Sequence, residues 1–368
     1  MLLIVACVVV LPIAWIWRRH PSLQARRQAL TLLILFVTFD LVVFGAFTRL
    51  SDSGLGCPDW PGCYGSSSPF GASQQIDKAV NAMPSGPVTH GKAWIEMLHR
   101  YLASIVGALI VVLMALAWRQ RWQARSRADS AAQSAAGPWL PTLTFFWVCM
   151  QGAFGALTVT MKLYPAIVTL HLLGGLGLLM LLGLQATHGD TVTRALPAVT
   201  RSIQRFLSFV LLMLLLQVML GGWVSTNYAV LACSDFPLCQ GRWWPEMDFH
   251  QGFEVRRALG LTSSGVPIDF AALTAIHYVH RLMAYLMLAL LGVSVYLLHR
   301  AGWRRPAKLL AALTALQLIT GLSNVVFDWP LAAALLHTAG AAALALLLTW
   351  LVAKARASRA VKHGATLP

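Results

Sequence analysis

Gly45-Ala46-Phe47, running on through Cys57-Pro58-Asp59-Trp60-Pro61-Gly62-Cys63-Tyr64-Gly65, has a counterpart in Gly221-Gly222-Trp223, running on through Cys233-Ser234-Asp235-Phe236-Pro237-Leu238-Cys239-Gln240-Gly241. The offset is 176 throughout, with no gap. Two further blocks follow in the same order. Glu96-Met97-Leu98-His99-Arg100 matches His277-Tyr278-Val279-His280-Arg281 at offset 181. Gln151, Gly155 and His171 match Gln317, Gly321 and His337 at offset 166. An internal duplication therefore organises the chain.

The duplicated unit is a membrane unit. Of the 368 residues 58% are hydrophobic and 11% charged, which is too apolar for a soluble domain. Eight stretches are apolar enough to cross a hydrocarbon core of about 30 Å. They cover about 29–48, 94–117, 139–160, 166–187, 206–226, 271–298, 308–327 and 331–353. Each half holds four spans, an even number, so both halves enter the membrane the same way. The expected fold is an all-α polytopic bundle of two parallel four-helix repeats about an axis along the membrane normal. The expected divisions are an extension (1–28), an N-terminal half (29–190), a linker (191–205), a C-terminal half (206–353) and a tail (354–368). The apolar stretch Met1 to Trp17 is followed, not preceded, by basic residues. It lacks the layout of a cleaved signal and reads as a further N-terminal span.

Orientation follows from Lys and Arg. Of the 28 basic residues, 19 fall on one side: Arg18, Arg19, Arg26 and Arg27, then Arg119, Arg121, Arg125 and Arg127, then Arg194, Arg201 and Arg205, then Arg300, Arg304, Arg305 and Lys308, and finally Lys354, Arg356, Arg359 and Lys362. That side is cytoplasmic by the positive-inside rule. A net charge of +15 would suggest nucleic acid in a soluble chain. Here the charge sits between spans, so the expected partner is membrane lipid and no nucleic acid. The loops 49–93 and 227–270 then face outward, and the Ser/Ala/Gly/Pro-rich linker 126–138 faces the cytoplasm as a flexible segment.

Four histidines recur at one depth, each about two turns into a span: His99, His171, His280 and His337. Intramembrane ionisable residues default to a functional reading. A lone one is often a hydrogen-bonded packing residue, but four at repeat-equivalent sites are a pattern. Zinc is poorly served, because no carboxylate or thiolate completes a tetrahedral set at that depth. Two inward imidazoles per half suit a flat tetrapyrrole with two axial ligands. His277 lies one turn before His280 and reads as supporting or structural. Its repeat mate is Glu96, a carboxylate that can act as acid or base or else pair with a nearby Arg or Lys. The outward loops permit Cys57–Cys63 and Cys233–Cys239 disulfides, as loop staples or as redox-active pairs. Cys7 and Cys149 lie in apolar spans and read as inert.

Thr48-Arg49-Leu50-Ser51-Asp52-Ser53-Gly54-Leu55-Gly56-Cys57-Pro58-Asp59-Trp60-Pro61-Gly62-Cys63-Tyr64-Gly65 resembles the first outer-loop signature of the heme A synthases. Glu96 to Arg100, His171 with Gly174-Gly175, His280-Arg281 and His337 complete the resemblance, which covers about 30–353. It implies an enzyme of the bacterial inner membrane that oxidises the C8 methyl of heme O to the formyl group of heme A. It implies that His99 and His171 hold heme O, that His280 and His337 ligate a heme b cofactor, and that Glu96 is the carboxylate needed for activity. Arg49, Arg100 and Arg281 near the outer ends of their spans would meet heme propionates. Implied partners are heme O synthase (a protoheme farnesyltransferase), terminal oxidase assembly, and an electron acceptor that is a quinone or another carrier. Two rival classes remain open from the residues: a bis-His cytochrome b that only moves electrons, and a membrane thiol oxidoreductase using the loop cysteines. A transporter also fits the duplication but leaves the histidines unexplained.

Overall fold

Eight helices long and apolar enough to cross a membrane account for each of the eight expected spans. The chain is an integral membrane protein. The computed structural model describes residues 2–126, 137–187 and 196–362, with side chains described over 11–126, 137–187 and 196–358. Most of the 126–138 linker, Arg127 and Arg194 lie outside the described residues. The side chains of Cys7, Arg359 and Lys362 do too. Among the described residues there is no strand, only isolated bridges such as Cys63 with Ser66 and Cys239 with Arg242.

The helices are α1 (Leu2–Arg19), α2 (Leu23–Leu50), α3 (Ser73–Ala82), α4 (His90–Ser126), α5 (Trp139–Thr160), α6 (Pro165–Thr187), α7 (Arg201–Thr226), the four-residue α8 (Phe249–Gly252), α9 (Phe270–Arg300), α10 (Arg304–Val326) and α11 (Leu331–Lys362). In the first half, α2 packs on α4, α4 on α5, α5 on α6 and α6 back on α2. In the second half α7, α9, α10 and α11 close the same ring in the same order. Between the halves α2 meets α11, α6 meets α7, and α6 meets α11. Residues 176 apart touch each other at this seam: Arg49 Nη2 donates to Ser225 O at 2.6 Å, and the Tyr228 hydroxyl donates to Asp52 Oδ1 at 2.7 Å. A position can meet its own repeat mate only near the symmetry axis, and the four spans from α2 through α6 return the chain to the same side before α7, so the halves run in parallel about an axis near these contacts.

The backbone repeats as closely as the sequence. Asp52 and Tyr228 are both left-handed at the ends of α2 and α7. Lys162-Leu163 and Asp328-Trp329, offset by 166, are left-handed pairs turning α5 into α6 and α10 into α11. Side-chain oxygens of Ser22 and Thr200 accept from Ala25 N and Ile203 N and start α2 and α7.

Each half has its own apolar core at the end away from the long loops. Leu30, Ile34, Val106, Leu113 and Leu182 fill the first, joined by Ile16 of α1. Leu207, Leu214, Leu291, Leu348 and Leu351 fill the second. This leaves the loop-side end of each ring for polar residues. Several helices outrun their apolar stretches. α4 has 37 residues, and α11 continues to Lys362, through much of the stretch expected as a tail. Hydropathy marks where the chain crosses hydrocarbon. The helix itself continues as long as its internal hydrogen bonds and basic side chains that reach the interface support it. The two long loops also contain α3 and α8.

Candidate functional site

The four histidines stand just inside the loop-side end of each ring. His99 is on α4, His171 on α6, His280 on α9 and His337 on α11. At about 1.5 Å of rise per residue, their positions place them roughly 10–15 Å along their helices. His99 lies near enough to His171 for their charges to interact, and His280 stands likewise to His337. Each of the four histidines is half-buried.

A glycine on the neighbouring helix faces each ring. A Cβ on Gly45 would lie 3.0 Å from His99 Cε1, and one on Gly221 2.8 Å from His280 Cε1. For Gly155 and His171 the distance is 3.5 Å, and for Gly321 and His337 it is 3.3 Å. The glycines thus let the Cε1 side of two imidazoles in each half approach the neighbouring helix closely. The sequence quoted these glycines only as markers of the repeat; their role becomes visible from the contact. Among the described residues no three His, Cys, Asp or Glu side chains cluster as a metal cage. The donor set is one pair per half, which fits an iron already held by a porphyrin.

The disulfides Cys57–Cys63 and Cys233–Cys239 are formed, each with Cα atoms 4.8 Å apart. All four cysteines are fully buried. Thiol exchange needs an accessible sulfur, so burial favours the staple over the redox pair. One aspartate holds each loop. Asp59 accepts from Tyr64 N at 2.6 Å and Gly65 N at 2.7 Å. Asp235 accepts from Gln240 N at 2.7 Å and Gly241 N at 2.9 Å. Both carboxylates thus cap a left-handed pair whose second residue is glycine, at φ of 71° for Gly65 and 70° for Gly241.

The N–H of Gly241, aided by that of Gln240, holds the Asp235 carboxyl below the usual carboxylate range. A depressed folded value gives stability above the unfolded pKa of about 3.9 and loses it as pH falls through the folded value. Amide protection at Gln240 and Gly241 should therefore stay constant down to about pH 4 and fall only below it. A fall between pH 7 and pH 5 in hydrogen-exchange protection factors would assign the loop to another group.

Two arginines clamp the loops from below. Arg100 Nη1 donates to Asp59 O at 2.8 Å and Gly62 O at 2.6 Å. Arg281 Nη1 donates to Asp235 O at 3.0 Å and Leu238 O at 2.7 Å, and its Nη2 donates to Cys233 O at 3.1 Å. Arg49 lies at the seam, stacked 4.1 Å over the Tyr228 ring and 3.3 Å from Asp52. The sequence placed these three arginines at the outer ends of their spans; it gave no sign that two of them read loop carbonyls.

Glu96 is buried and doubly held. Its Oε2 accepts from Cys57 N at 2.8 Å, and its Oε1 accepts from Arg100 Nη2 at 2.5 Å. Of the two readings of this residue, the ion pair is the one present in the structure. The side chain turns to the loop and its clamp. Its mate His277 is buried with Nδ1 3.1 Å from Ala229 O. The second half therefore holds its loop through Arg281 without a carboxylate.

A family model described as a cytochrome oxidase assembly protein, COX15-CtaA, matches residues 28–350. The chain belongs to the COX15-CtaA family. The match takes in both four-helix rings, both disulfide loops and all four histidines. The chain is 37% identical over 318 residues to a heme A synthase of Shewanella oneidensis, covering 85% of this chain and 92% of that one. It is 27% identical over 305 residues to a heme A synthase of Alkalihalophilus pseudofirmus, covering 80% and 85%. With a heme A synthase of Mesorhizobium japonicum it shares 26% over 324 residues, 83% of each chain.

Proposed function

We propose that the chain is an oxidoreductase of heme biosynthesis that converts heme O to heme A. Heme O would lie between His99 and His171, and a resident heme b between His280 and His337. The observation that supports this best is the pairing itself: two imidazoles in each ring, each facing a glycine of the neighbouring helix. A purely electron-carrying cytochrome would need neither the Glu96–Arg100 pair nor two halves that differ in polarity around their histidines.

On this reading the C8 methyl is oxidised in two stages. The first gives an alcohol and the second a geminal diol, which loses water to become the aldehyde. Written with water as the oxygen source, each stage takes up one water, releases two protons and passes two electrons to an external acceptor, a quinone or another carrier. When bound, heme b supplies a one-electron relay. The chain's own residues do the rest. His99 and His171 fix the plane of the substrate ring, and the apolar core beneath excludes water from one side. The stapled loop Cys57–Cys63 covers the other end. Glu96 neutralises Arg100 and ties Cys57 down, which makes it a positioning residue for the substrate side. The propionate contacts expected of Arg49, Arg100 and Arg281 are retained in this proposal, at the loop end where those guanidiniums stand. The basic side would face the cytoplasm and the heme sites the periplasm of a bacterial inner membrane. Heme O synthase and terminal oxidase assembly would stand before and after this step. The 29–190 and 206–353 halves would act as substrate and cofactor domains.

The test is pigment analysis. Protein purified after co-expression with a heme O synthase should yield heme B together with heme A or O by mass. Without that synthase it should yield heme B and no heme A. Heme B alone under both conditions would overturn the reading and favour an electron carrier.

A further inference from the structure

The two histidine pairs are supported unequally. In the second half His337 Nδ1 lies 3.0 Å from Thr320 Oγ1. That hydroxyl already gives its proton to Leu316 O at 2.7 Å. It can therefore only accept from the ring, so Nδ1 carries the hydrogen and Nε2 presents a bare lone pair. His280 Nδ1 lies 3.1 Å from the Gln217 amide, whose Nε2 also reaches His280 O at 3.2 Å and whose Oε1 is buried without a partner. A half-turn of that amide gives up its bond to His280 O and puts the free Oε1 onto an Nδ1–H. Each imidazole of this pair thus has a polar side chain against its Nδ1, a hydroxyl acceptor for His337 and an amide able to accept for His280.

The first half lacks both groups. Its position matching Gln217 is Leu41, and the one matching Thr320 is Phe154. His99 Nδ1 and His171 Nδ1 are buried with no hydrogen-bond partner. Even where the residue type is shared, its use differs. Gln317 Nε2 donates to His337 O at 2.9 Å, whereas the Gln151 amide has no partner on either atom.

We propose that Gln217 and Thr320 are positioning residues that make the C-terminal pair a retaining site, and that Leu41 and Phe154 make the N-terminal pair an exchange site. This rests on the reading of heme O in the first half and heme b in the second. An acceptor on Nδ1–H fixes the tautomer, orients the ring and raises the donor strength of Nε2, and loss of such a partner costs about 10–100-fold in metal affinity. An unsupported imidazole must freeze its own rotation on ligation and is the weaker donor. A cofactor has to stay through many turnovers, whereas substrate and product have to enter and leave. One duplicated scaffold meets both needs by changing two side chains behind the ligands.

The experiment follows heme loss from purified holoprotein to excess apomyoglobin, read by absorption, with the reduction potential as a second readout. Thr320→Val and Gln217→Leu should each release heme b about 10–100-fold faster, keep a low-spin bis-imidazole spectrum and shift the potential upward as the ligand weakens. Thr320→Ser, which restores the acceptor, should return both values toward the parent. Phe154→Thr should do the reverse in the other half and slow release of heme A or O. This variant tests the idea even if the core variants fold poorly. Unchanged release rates for heme b in both C-terminal variants, or an unchanged rate for Phe154→Thr, would overturn the proposal while leaving the two-heme reading standing. A parent protein that yields no heme B at all would overturn both.

Discussion

His337→Ala and His280→Ala should each strip the C-terminal half of its low-spin heme while leaving a folded protein. Loss of a hydrogen bond behind a ligand costs about 10–100-fold in affinity, and loss of the ligand itself must cost more. On that scale purified variants should retain only a small fraction of the parent's heme B by pyridine hemochromogen assay. The fold should survive because neither ring contributes to the apolar core. Leu344, Ala345, Leu348 and Leu351 of α11 pack below His337, and Met287, Leu291 and Leu298 of α9 pack below His280. Truncation therefore leaves the apolar cluster intact. His277→Ala is the control. Its imidazole meets Ala229 O, so heme B content should stay at the parent level. His99→Ala should likewise keep heme B and lose heme O or A. Parent heme B in both His280→Ala and His337→Ala would sink the assignment of the resident site.

Much of this arrangement was legible in the sequence, because membrane insertion makes strong demands on pattern. Apolar runs between basic clusters gave all eight crossings, since a helix in lipid must satisfy its own backbone and cover itself with apolar side chains. Constant offsets matched His99 to His280 and His171 to His337, and shared depth within each half paired His99 with His171 and His280 with His337. The Cys-x5-Cys hexads gave the disulfides. What stayed hidden depends on contacts distant in sequence. Arg100 reaches Gly62 O across 38 residues and Arg281 reaches Leu238 O across 43. No local pattern announces a guanidinium that reads carbonyls. Gln217 and Thr320 were hidden for a different reason. Each looks like an ordinary polar residue of a span until it is set against Leu41 and Phe154 in the other repeat. A register-by-register search for polar residues present in one half only would have found them.

The same comparison bears on the rival chemistries. A thiol oxidoreductase has to expose one sulfur to an incoming thiolate or quinone. Here both disulfides are buried under arginine clamps and aspartate caps that are duplicated in both halves. The features that differ between the halves are the groups around the histidines and the Glu96/His277 exchange. Duplicated parts serve what both halves share, which is a stapled cover over a slot. Unduplicated parts carry what only one half does.

Glu96→Gln should keep the resident heme b, still admit heme O, and cut the yield of heme A by about tenfold or more, with the alcohol intermediate accumulating. Glu96 stands in the half assigned to the substrate, so the heme of the other half has no reason to leave. The amide keeps one acceptor, for Cys57 N–H or for Arg100, and turns its NH2 donors toward the other. A buried hydrogen bond to a charged group is worth roughly 1.5–3 kcal/mol, which bounds the local cost. Four loop carbonyls, those of Cys57, Asp59, Pro61 and Gly62, still accept from Arg100, so the clamp persists and the protein should fold. The second half shows that the clamp works without a carboxylate. The negative charge is therefore surplus to holding the loop and is specific to the half proposed to hold the substrate. Co-expression with heme O synthase and quantification of hemes B, O, A and the alcohol separates the roles. A merely structural Glu96 would lower heme O binding and heme A yield together and leave the ratio of alcohol to heme A unchanged. A positioning Glu96 raises that ratio in the Gln variant, and Glu96→Asp, which restores the charge, brings it back toward the parent value. Parent yields of heme A from Glu96→Gln would show that the second oxidation proceeds without this carboxylate.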